Sequence, residues 1–229
     1  MVKRFSGIDL NYTFFDAKEF NGKRKSEIPH YNNILKKLLH GYELTHGEIG
    51  CAASHYALWE RCASDQINYL ILEDDVNFTL KFPEALAVSL NLIDQLKYIR
   101  LCSKHPNRFK RIHNYDCGIT VVRHLKGPRG TQCYMISPEG ATSLIKSYST
   151  WLYPVDDFLD WSFKAKLGNY GLLPNTVYED TDSSTIGTRR HKKIPLSIRL
   201  FKEIDNLRNR LCNKIYNNYL NYCEKKITF

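Results

Sequence analysis

The chain has 229 residues, 43% of them hydrophobic, which is enough to bury one sizeable core in a mixed α/β domain. Its seven cysteines show no C-x-x-C spacing and lie mostly in apolar stretches, which is typical of reduced core thiols in a cytosolic protein. The N-terminus lacks the apolar segment of a secretory signal, and no stretch is apolar enough to span a bilayer. We therefore expect a cytosolic protein that is neither secreted nor transmembrane.

The net charge of +9 is concentrated near the C-terminus. Residues 187–229 contain eleven Lys or Arg and three Asp or Glu, a formal charge of +8, which leaves +1 for the preceding 186 residues. This asymmetry predicts a nearly neutral domain over residues 1–190 and a basic tail over residues 191–229.

The first predicted elements are two helices, over residues 31–39 and 48–64. Thr45 and Glu48 open the second helix at the spacing of a capping box. Apolar residues surround nearly the whole of this helix, which predicts deep burial. Gly50 within it indicates a close approach by a ligand or a neighbouring backbone, because glycine otherwise destabilises a helix.

A short apolar run, Tyr69–Leu72, is followed at once by Glu73, Asp74 and Asp75. Such an unbroken run is typical of a central strand that is covered on both faces. Ligands of open α/β sheets bind beyond the carboxyl ends of the strands. The sequence therefore predicts three carboxylates at a ligand crevice.

The rest of the predicted domain alternates strands and helices. Helices are expected after Ser137 to about Ser147, and over residues 155–167 with Gly168 as the stop. Strands are expected over residues 98–102, 119–122, 132–136, 171–173 and 175–178. This alternation predicts an α/β fold with a mixed, mainly parallel sheet.

The basic tail carries apolar residues at spacings of three and four. They define one stripe along a long predicted helix: Leu196, Leu200, Ile204, Leu207, Leu211 and Ile215. A basic helix with such a stripe can lie on an anionic membrane surface, which is the role we favour. The alternatives are packing of the stripe on the domain or on a second subunit, and nucleic-acid binding, for which the sequence contains no recognised motif.

The acidic triplet is the first candidate site. Adjacent carboxylates repel one another, and a divalent cation such as Mn²⁺ or Mg²⁺ is one reason to hold them together. Glu73 and Asp75 point the same way on an extended segment, which suits a single ion. The alternative is a solvated acidic turn, and the triplet by itself does not separate the two interpretations.

Four blocks of the chain together resemble glycosyltransferase family 25, the lipooligosaccharide galactosyltransferases and their relatives. The first block joins GEIGCAASH (residues 47–55) and Trp59 to ILEDDV (residues 71–76). The others are GTQCYMISPEGA (residues 130–141), PVDDFL (residues 154–159) and residues 174–190. Their order and spacing also fit, and four ordered blocks are far more specific than any one of them.

The resemblance implies a GT-A-like nucleotide-sugar transferase domain, a UDP-sugar donor and an inverting transfer of a hexose. On the argument from the acidic triplet, Asp75 and Glu73 are the expected ligands of Mn²⁺ or Mg²⁺. Galactose from UDP-galactose and a lipooligosaccharide acceptor at the inner face of the cytoplasmic membrane are the first expectation. UDP-glucose is the alternative donor, and an inactive membrane-surface homologue is the alternative outside enzymes. Family members usually open with a hydrophobic strand followed by an Arg, whereas the first matching piece here is residues 12–17, so we expect that strand to be missing or replaced.

The residues expected to contact the donor or the sugar are Glu48, His55, Asp74, Thr131 and Arg190. For Glu48 the alternative role is the capping box, and for His55 it is a hydrogen-bonded core histidine. Arg190 ends a stretch of hydroxyl and guanidinium groups that can reach phosphate oxygens or simply lead into the tail.

Inversion at an anomeric carbon needs a base that takes the proton of the acceptor hydroxyl. Asp157 is the expected base, with Asp156 in reserve. Both follow Pro154 where a helix is expected to begin, so stabilisation of the helix dipole is the alternative. A carboxylate here would also stabilise the positive charge of an oxocarbenium-like transition state.

Overall fold

A computed structural model describes residues 11–105, 108–179 and 195–228. Within these ranges the chain forms one main sheet, a separate pair of strands, and helices on both faces of the main sheet. The helices are α1 (Asn33–His40), α2 (His46–Asp65), α3 (Phe82–Leu96), α4 (Pro138–Ser147), α5 (Val155–Leu159), α6 (Ser162–Ala165) and α7 (Leu196–Cys223). The strands are β1 (Tyr69–Leu72), β2 (Val76–Phe78), β3 (Tyr98–Arg100), β4 (Phe109–Asn114), β5 (Thr120–His124), β6 (Cys133–Ile136), β7 (Tyr170–Leu173) and β8 (Val177–Glu179).

The main sheet has six strands in the order β1-β6-β3-β7-β5-β4, and β2 pairs with β8 in a separate ribbon. An α/β fold with a mixed sheet is confirmed, but the prediction of a mainly parallel sheet is wrong. Only β3 and β7 pair in parallel, while the other neighbours are antiparallel. The physical reason is that β3, β4, β5 and β6 follow one another without a helix long enough for a parallel crossover.

Strand β1 lies at the edge of the sheet, so the prediction of a central strand is wrong, although its side chains pack against a core on each face. Of its four residues only Ile71 is buried. Its apolar side chains also form part of the wall of a cleft. Leu72 pairs with Cys133, which places the end of β1 beside the start of β6.

Two apolar cores cover the two faces of the sheet. Strand β6 shows the division, because alternate side chains of a strand point to opposite faces. Tyr134 and Ile136 join the core formed with α2, α4 and α5. Cys133 and Met135 join the core formed with α3. The sheet is thus a middle layer, and only its edges and strand ends are left for a site.

Helix α2 begins with the predicted capping box. Thr45 Oγ1 accepts from the backbone N–H of Glu48 at 3.1 Å, and the Glu48 carboxylate accepts from the N–H of Thr45 at 2.8 Å. A Cβ at Gly50 would lie 2.6 Å from the carbonyl oxygen of Lys18. The close backbone approach predicted at Gly50 is therefore confirmed, and the neighbour is the chain itself.

The helix predicted over residues 155–167 is interrupted and forms the two short helices α5 and α6. Asp160 lies at the break. Its carboxylate accepts from Arg100 Nη2 at 3.1 Å and from the backbone N–H of Arg129 at 3.2 Å. Arg100 is 1% exposed, so this interaction pins the break against the sheet.

The long C-terminal helix is confirmed, but its packing is the opposite of an ordinary amphipathic helix. The side chains that α7 buries include Asn209, Asn213 and Asn217, which are spaced four residues apart and therefore share one face. Asn217 accepts from Arg123 Nη1, and Asn213 Nδ2 donates to the carbonyl of Leu125 at 3.1 Å. Polar side chains hold this helix on the domain.

The predicted apolar stripe of α7 faces away from the domain. Its six residues are between 54% and 81% exposed: Leu196, Leu200, Ile204, Leu207, Leu211 and Ile215. The alternative in which the stripe packs on its own domain is therefore wrong for the described residues. No helix in the described part of the chain combines the length and apolar character that a membrane crossing requires.

Candidate active site

The acidic triplet lies in a cleft of about 2400 Å³ at one edge of the sheet. Strands β1 and β3 run in the same direction and β6 runs opposite to them. The carboxyl ends of β1 and β3 and the amino end of β6 therefore lie together beside the cleft. Residues 11–21, the first half of α2 and the start of α5 complete the walls. A site for one small ligand usually occupies about 300–1000 Å³, so the cleft has room for more than one such ligand.

All three carboxylates of the triplet line the cleft. Asp74 is exposed, while Glu73 and Asp75 are half-buried. The backbone N–H of Glu73 donates to the carbonyl of Gln132 at 2.9 Å, which extends the pairing of β1 with β6 by one residue. The triplet is thus fixed to the sheet at its first residue and is directed into the cleft.

Glu73 is held from two sides. Thr131 Oγ1 donates a hydrogen bond to Glu73 Oε1, and His55 Nε2 lies 3.7 Å from the same oxygen. Burial alone would raise the pKa of the Glu73 carboxyl, but the neighbouring His55 and Thr131 outweigh it and lower that pKa. Glu73 is therefore a carboxylate at neutral pH, as a metal ligand must be.

His55 belongs to a buried polar group behind Glu73. Its Nδ1 lies 2.8 Å from the hydroxyl of Tyr134, and that hydroxyl also accepts from Trp59 Nε1 at 2.9 Å. Burial lowers the pKa of His55, but Tyr134, Cys51 and Glu73 together raise it well above its ordinary value. His55 is therefore a hydrogen-bonded core histidine that also contacts Glu73, a residue lining the cleft.

Asp75 has an oxygen that suits a cation. Its Oδ1 is buried and has no hydrogen-bond partner among the described residues. Burial raises the pKa of this carboxyl, and the negative charges of Glu73 and Glu179 raise it further. A buried, unpartnered carboxylate oxygen is costly unless a positive group binds it, so the residues present fit a divalent ion.

Three further residues shape the cleft and were not predicted. Lys104 Nζ donates to both carboxylate oxygens of Glu179, at 2.8 and 2.7 Å, and Gln132 Nε2 also donates to Glu179. They come from three separate parts of the chain that only the folded sheet brings together. Glu179 is the last residue of β8.

The remaining predicted residues are distributed as follows. Asp156 and Asp157 are half-buried in the first turn of α5 and line the cleft. Their position at a helix start is therefore compatible with a role in the cleft. Glu48 is in the capping box and also lines the cleft. Thr131 is buried and bonded to Glu73. Arg190 lies outside the described residues.

The fold and site define an α/β domain with a large acidic cleft at the end of its sheet, the arrangement of an enzyme that binds a ligand beyond its strands. The chain belongs to glycosyltransferase family 25 (LPS biosynthesis protein), whose family model matches residues 1–159. The resemblance is thereby confirmed for the three blocks within residues 47–159, and the chain is a glycosyltransferase-family protein. The fourth block, residues 174–190, lies outside the matched range.

Individual relatives share parts of the chain. It is 35% identical over 129 residues to a putative glycosyltransferase, R655, of Acanthamoeba polyphaga mimivirus, covering 53% of this chain and 39% of that one. It is 40% identical over 75 residues to the lipooligosaccharide biosynthesis protein lic2B of Haemophilus influenzae, covering 32% and 27%. It is 34% identical over 127 residues to human procollagen galactosyltransferase 2, covering 51% and 19%. The chain thus spans at most 39% of the length of these three relatives.

Proposed function

We propose that this chain is an inverting, metal-dependent hexosyltransferase with a GT-A-like domain, which moves galactose from UDP-galactose to a lipooligosaccharide or related lipid-linked glycan. The single observation that carries the proposal is the acidic cleft in a family 25 chain, with the unpartnered oxygen of Asp75 beside the charged Glu73. Galactose is the first candidate because one relative is named a galactosyltransferase and another a lipooligosaccharide biosynthesis protein.

Asp75 and Glu73 would hold Mn²⁺ or Mg²⁺. When bound, such an ion offsets the negative charge that develops on a diphosphate leaving group. Thr131 and His55 keep Glu73 oriented and ionised for this role. Asp74, which is exposed in the cleft, is the proposed contact for the ribose or sugar hydroxyls.

The remaining roles belong to the acceptor side and the donor phosphates. Asp157 is the proposed base for the acceptor hydroxyl, with Asp156 stabilising positive charge on the sugar ring. Glu48 is the proposed contact for a sugar hydroxyl, since its buried carboxylate also lines the cleft. Arg190 is proposed to reach the donor phosphates.

The test is a donor panel of UDP-galactose and UDP-glucose, each assayed with Mn²⁺ and with EDTA, on the wild-type chain and on Asp75→Asn. Asp116→Asn is the matched control, because Asp116 is exposed and is not among the residues lining the cleft. We expect Mn²⁺-dependent turnover that falls about a hundredfold or more in Asp75→Asn only. Turnover insensitive to EDTA and to Asp75→Asn would refute the metal site. Absence of both turnover and thermal stabilisation by UDP would favour an inactive homologue.

We also propose that residues 191–229 attach the domain of residues 1–190 to the inner face of the cytoplasmic membrane. The exposed stripe of α7 is the supporting observation. Two acids of this helical segment are turned inward: Asp205 accepts from the hydroxyl of Tyr153 at 3.0 Å, and Glu224 is bound by Arg123. Exposed basic residues such as Arg210 and Lys214 flank the stripe. Each basic residue near an anionic surface contributes about 1 kcal/mol.

Helix α1 extends the same surface. It packs beside α7, and its apolar residues Ile34 and Leu38 are 68% and 61% exposed. The residues that α1 buries are Lys36 and His40, so it presents its apolar face outward as α7 does. Two adjacent helices with outward apolar faces favour a broad, flat partner such as a lipid surface.

The membrane proposal is tested by co-sedimentation with anionic and neutral vesicles. Leu207→Glu removes apolar area and adds negative charge at the centre of the stripe, so we expect several-fold weaker binding to anionic vesicles. Leu80→Glu makes the same change at a residue that is 97% exposed and outside both helices, and it should bind normally. Equal binding by the two variants would contradict the proposal. A concentration-dependent dimer that Leu207→Glu abolishes would assign the stripe to a second subunit instead.

A further inference from the structure

A second set of potential metal ligands lies beside the acidic triplet and has different chemistry. Cys51 and His55 lie one turn apart on α2, and Glu73 follows β1. One ligand atom from each of the three lies within 4.8 Å of the others. In the described parts of the chain no other group of three such residues comes this close.

The separations suit a small tetrahedral ion. Bonds of about 2.0–2.3 Å to nitrogen, oxygen and sulfur place neighbouring ligand atoms roughly 3.3–3.8 Å apart. His55 Nε2 and Glu73 Oε1 are already 3.7 Å apart. A contraction of at most about 1.5 Å, from the 4.8 Å limit, brings the cluster to this geometry. Cys51 is half-exposed on the cleft side, which leaves its side chain room to adjust.

The surrounding residues hold two of the three ligands in place. The hydroxyl of Tyr134 lies 2.8 Å from His55 Nδ1, so it can accept a hydrogen bond from the Nδ1–H group when Nε2 binds an ion. Metal-binding histidines usually have such a partner for the second ring nitrogen. Thr131 donates to Glu73 Oε1 and so orients the carboxylate. All three ligands line the cleft, and a fourth position can therefore open to solvent or substrate.

We propose that Cys51, His55 and Glu73 bind a borderline or soft divalent ion such as Zn²⁺ or Co²⁺. A thiolate and an imidazole favour these ions over Mn²⁺ and Mg²⁺, which prefer oxygen ligands. On binding, the thiol of Cys51 and the protonated imidazole of His55 each release one proton to solvent, and Cys51 Sγ and His55 Nε2 form bonds to the metal. The ion is not reduced or oxidised.

The site also predicts an effect on sugar transfer, and this part of the inference rests on the proposed function. Glu73 cannot serve an ion at Asp75 and an ion at Cys51 equally well. Zn²⁺ at Cys51, His55 and Glu73 therefore removes a ligand from the Mn²⁺ site and occupies the cleft. We expect Zn²⁺ to inhibit sugar transfer that Mn²⁺ supports.

Co²⁺ titration of the full metal-free chain tests the site without any activity assay. We expect one equivalent to produce the visible bands of tetrahedral Co²⁺ and a near-ultraviolet thiolate charge-transfer band. Cys51→Ser should lose the charge-transfer band and bind at least about tenfold more weakly. Cys212→Ser is the matched control, since Cys212 is also a half-exposed free cysteine but lies on α7. A wild-type chain without these bands, or a Cys51→Ser chain that keeps them, overturns the proposal.

A second variant separates loss of a ligand from loss of fold. His55→Gln keeps a polar side chain of similar length, and circular dichroism reports whether α2 remains folded. We expect both single variants to lose the tetrahedral spectrum while retaining the wild-type circular dichroism. If folded His55→Gln binds Co²⁺ as tightly as wild type and with the same spectrum, His55 is not a ligand and the proposed site is wrong.

The inhibition is measured with Zn²⁺ added at fixed Mn²⁺. Wild type and Cys212→Ser should be inhibited at the same Zn²⁺ concentration, and Cys51→Ser should need about tenfold more. Equal inhibition of all three would refute the inhibitory role. A chain that binds Co²⁺ through Cys51 but turns over no donor would retain the metal site and refute the proposed function, so the two failures are distinguishable.

Discussion

Asp156 and Asp157 share the first turn of α5, but adjacent helical residues project about 100° apart and so cannot serve the same atom. We assign the base to Asp157. Asp157→Asn keeps the size of the side chain and removes its ability to take a proton, so kcat should fall about 10²–10⁴-fold. Asp156→Asn is the internal control with a smaller decrease. Steady-state kinetics with the best donor measures both, and a larger loss in Asp156→Asn would exchange the two roles.

His124 makes stability depend on pH. Burial, with the positive charge of Arg100, lowers its pKa to about 3, and its Nε2 lies 3.1 Å from the hydroxyl of Ser103. The unfolded chain binds a proton at this residue below about pH 6.5, whereas the folded chain does so only near pH 3. Its contribution to stability is therefore complete above pH 6.5 and is lost as the pH falls through this window, by at most about 1.4 kcal/mol per pH unit.

Between pH 6.5 and 4.5 the free energy of unfolding should depend less on pH in His124→Gln than in wild type. The difference in slope should be at most about 1.4 kcal/mol per pH unit. Urea unfolding at several pH values measures it, and His105→Gln, at an exposed histidine, should leave the slope unchanged. An identical slope in wild type and His124→Gln would show that His124 does not titrate as its burial requires.

At the residue scale, the sequence predicted the acidic triplet because three carboxylates after an apolar run are a local pattern. The capping box of Thr45 and Glu48 was predictable for the same reason. Glu179 and Lys104 were not predictable as a pair, because 75 positions separate them and only the fold brings them into contact.

Arg123 joins two elements, the sheet and the C-terminal helix. It is fully buried on β5, where Nε donates to Glu224 and Nη2 donates to Asn221 at 2.5 Å. Arg123→Met fills similar space but removes the buried guanidinium from Glu224, which keeps Lys110 and Tyr170 as partners. We therefore expect a loss of about 3 kcal/mol. Arg208→Met breaks an exposed ion pair with Asp205 and should lose less than about 1 kcal/mol.

Chemical unfolding of the two variants gives both values. A loss of less than 1 kcal/mol in Arg123→Met would mean that the buried network does not hold α7 on the sheet. The position of the proposed membrane surface depends on this attachment, because the network fixes which face of α7 is turned outward.

At the element scale, helices with strong start signals were predicted and weaker ones were missed. α2 and α4 begin with Thr45 and Ser137, whose side chains cap the first turn. α3 has no side-chain cap at its start, and it lies outside the predicted elements together with β2 and β4. The periodicity of α7 identified its apolar stripe but not the side on which it lies, because the buried face is made of asparagines that pair with Arg123 and Leu125.

At the scale of the whole molecule, the α/β class was predictable and the topology was not. Strand order depends on contacts such as that of β6 with both β1 and β3, which no local pattern encodes. The edge position of β1 matters for the site, because it leaves one side of the strand open and places the acidic triplet at the mouth of the cleft.

The central claim is that an ion at Asp75 and Glu73 binds the diphosphate of a UDP-sugar. Calorimetric titration of UDP into the full chain tests it most directly, with Mn²⁺ or with EDTA, for wild type, Asp75→Asn and Asp116→Asn. We predict that wild type and Asp116→Asn bind UDP in Mn²⁺, that EDTA abolishes this binding, and that Asp75→Asn binds at least about tenfold more weakly. UDP affinity that is equal with Mn²⁺ and EDTA, or equal in Asp75→Asn and wild type, would contradict the account.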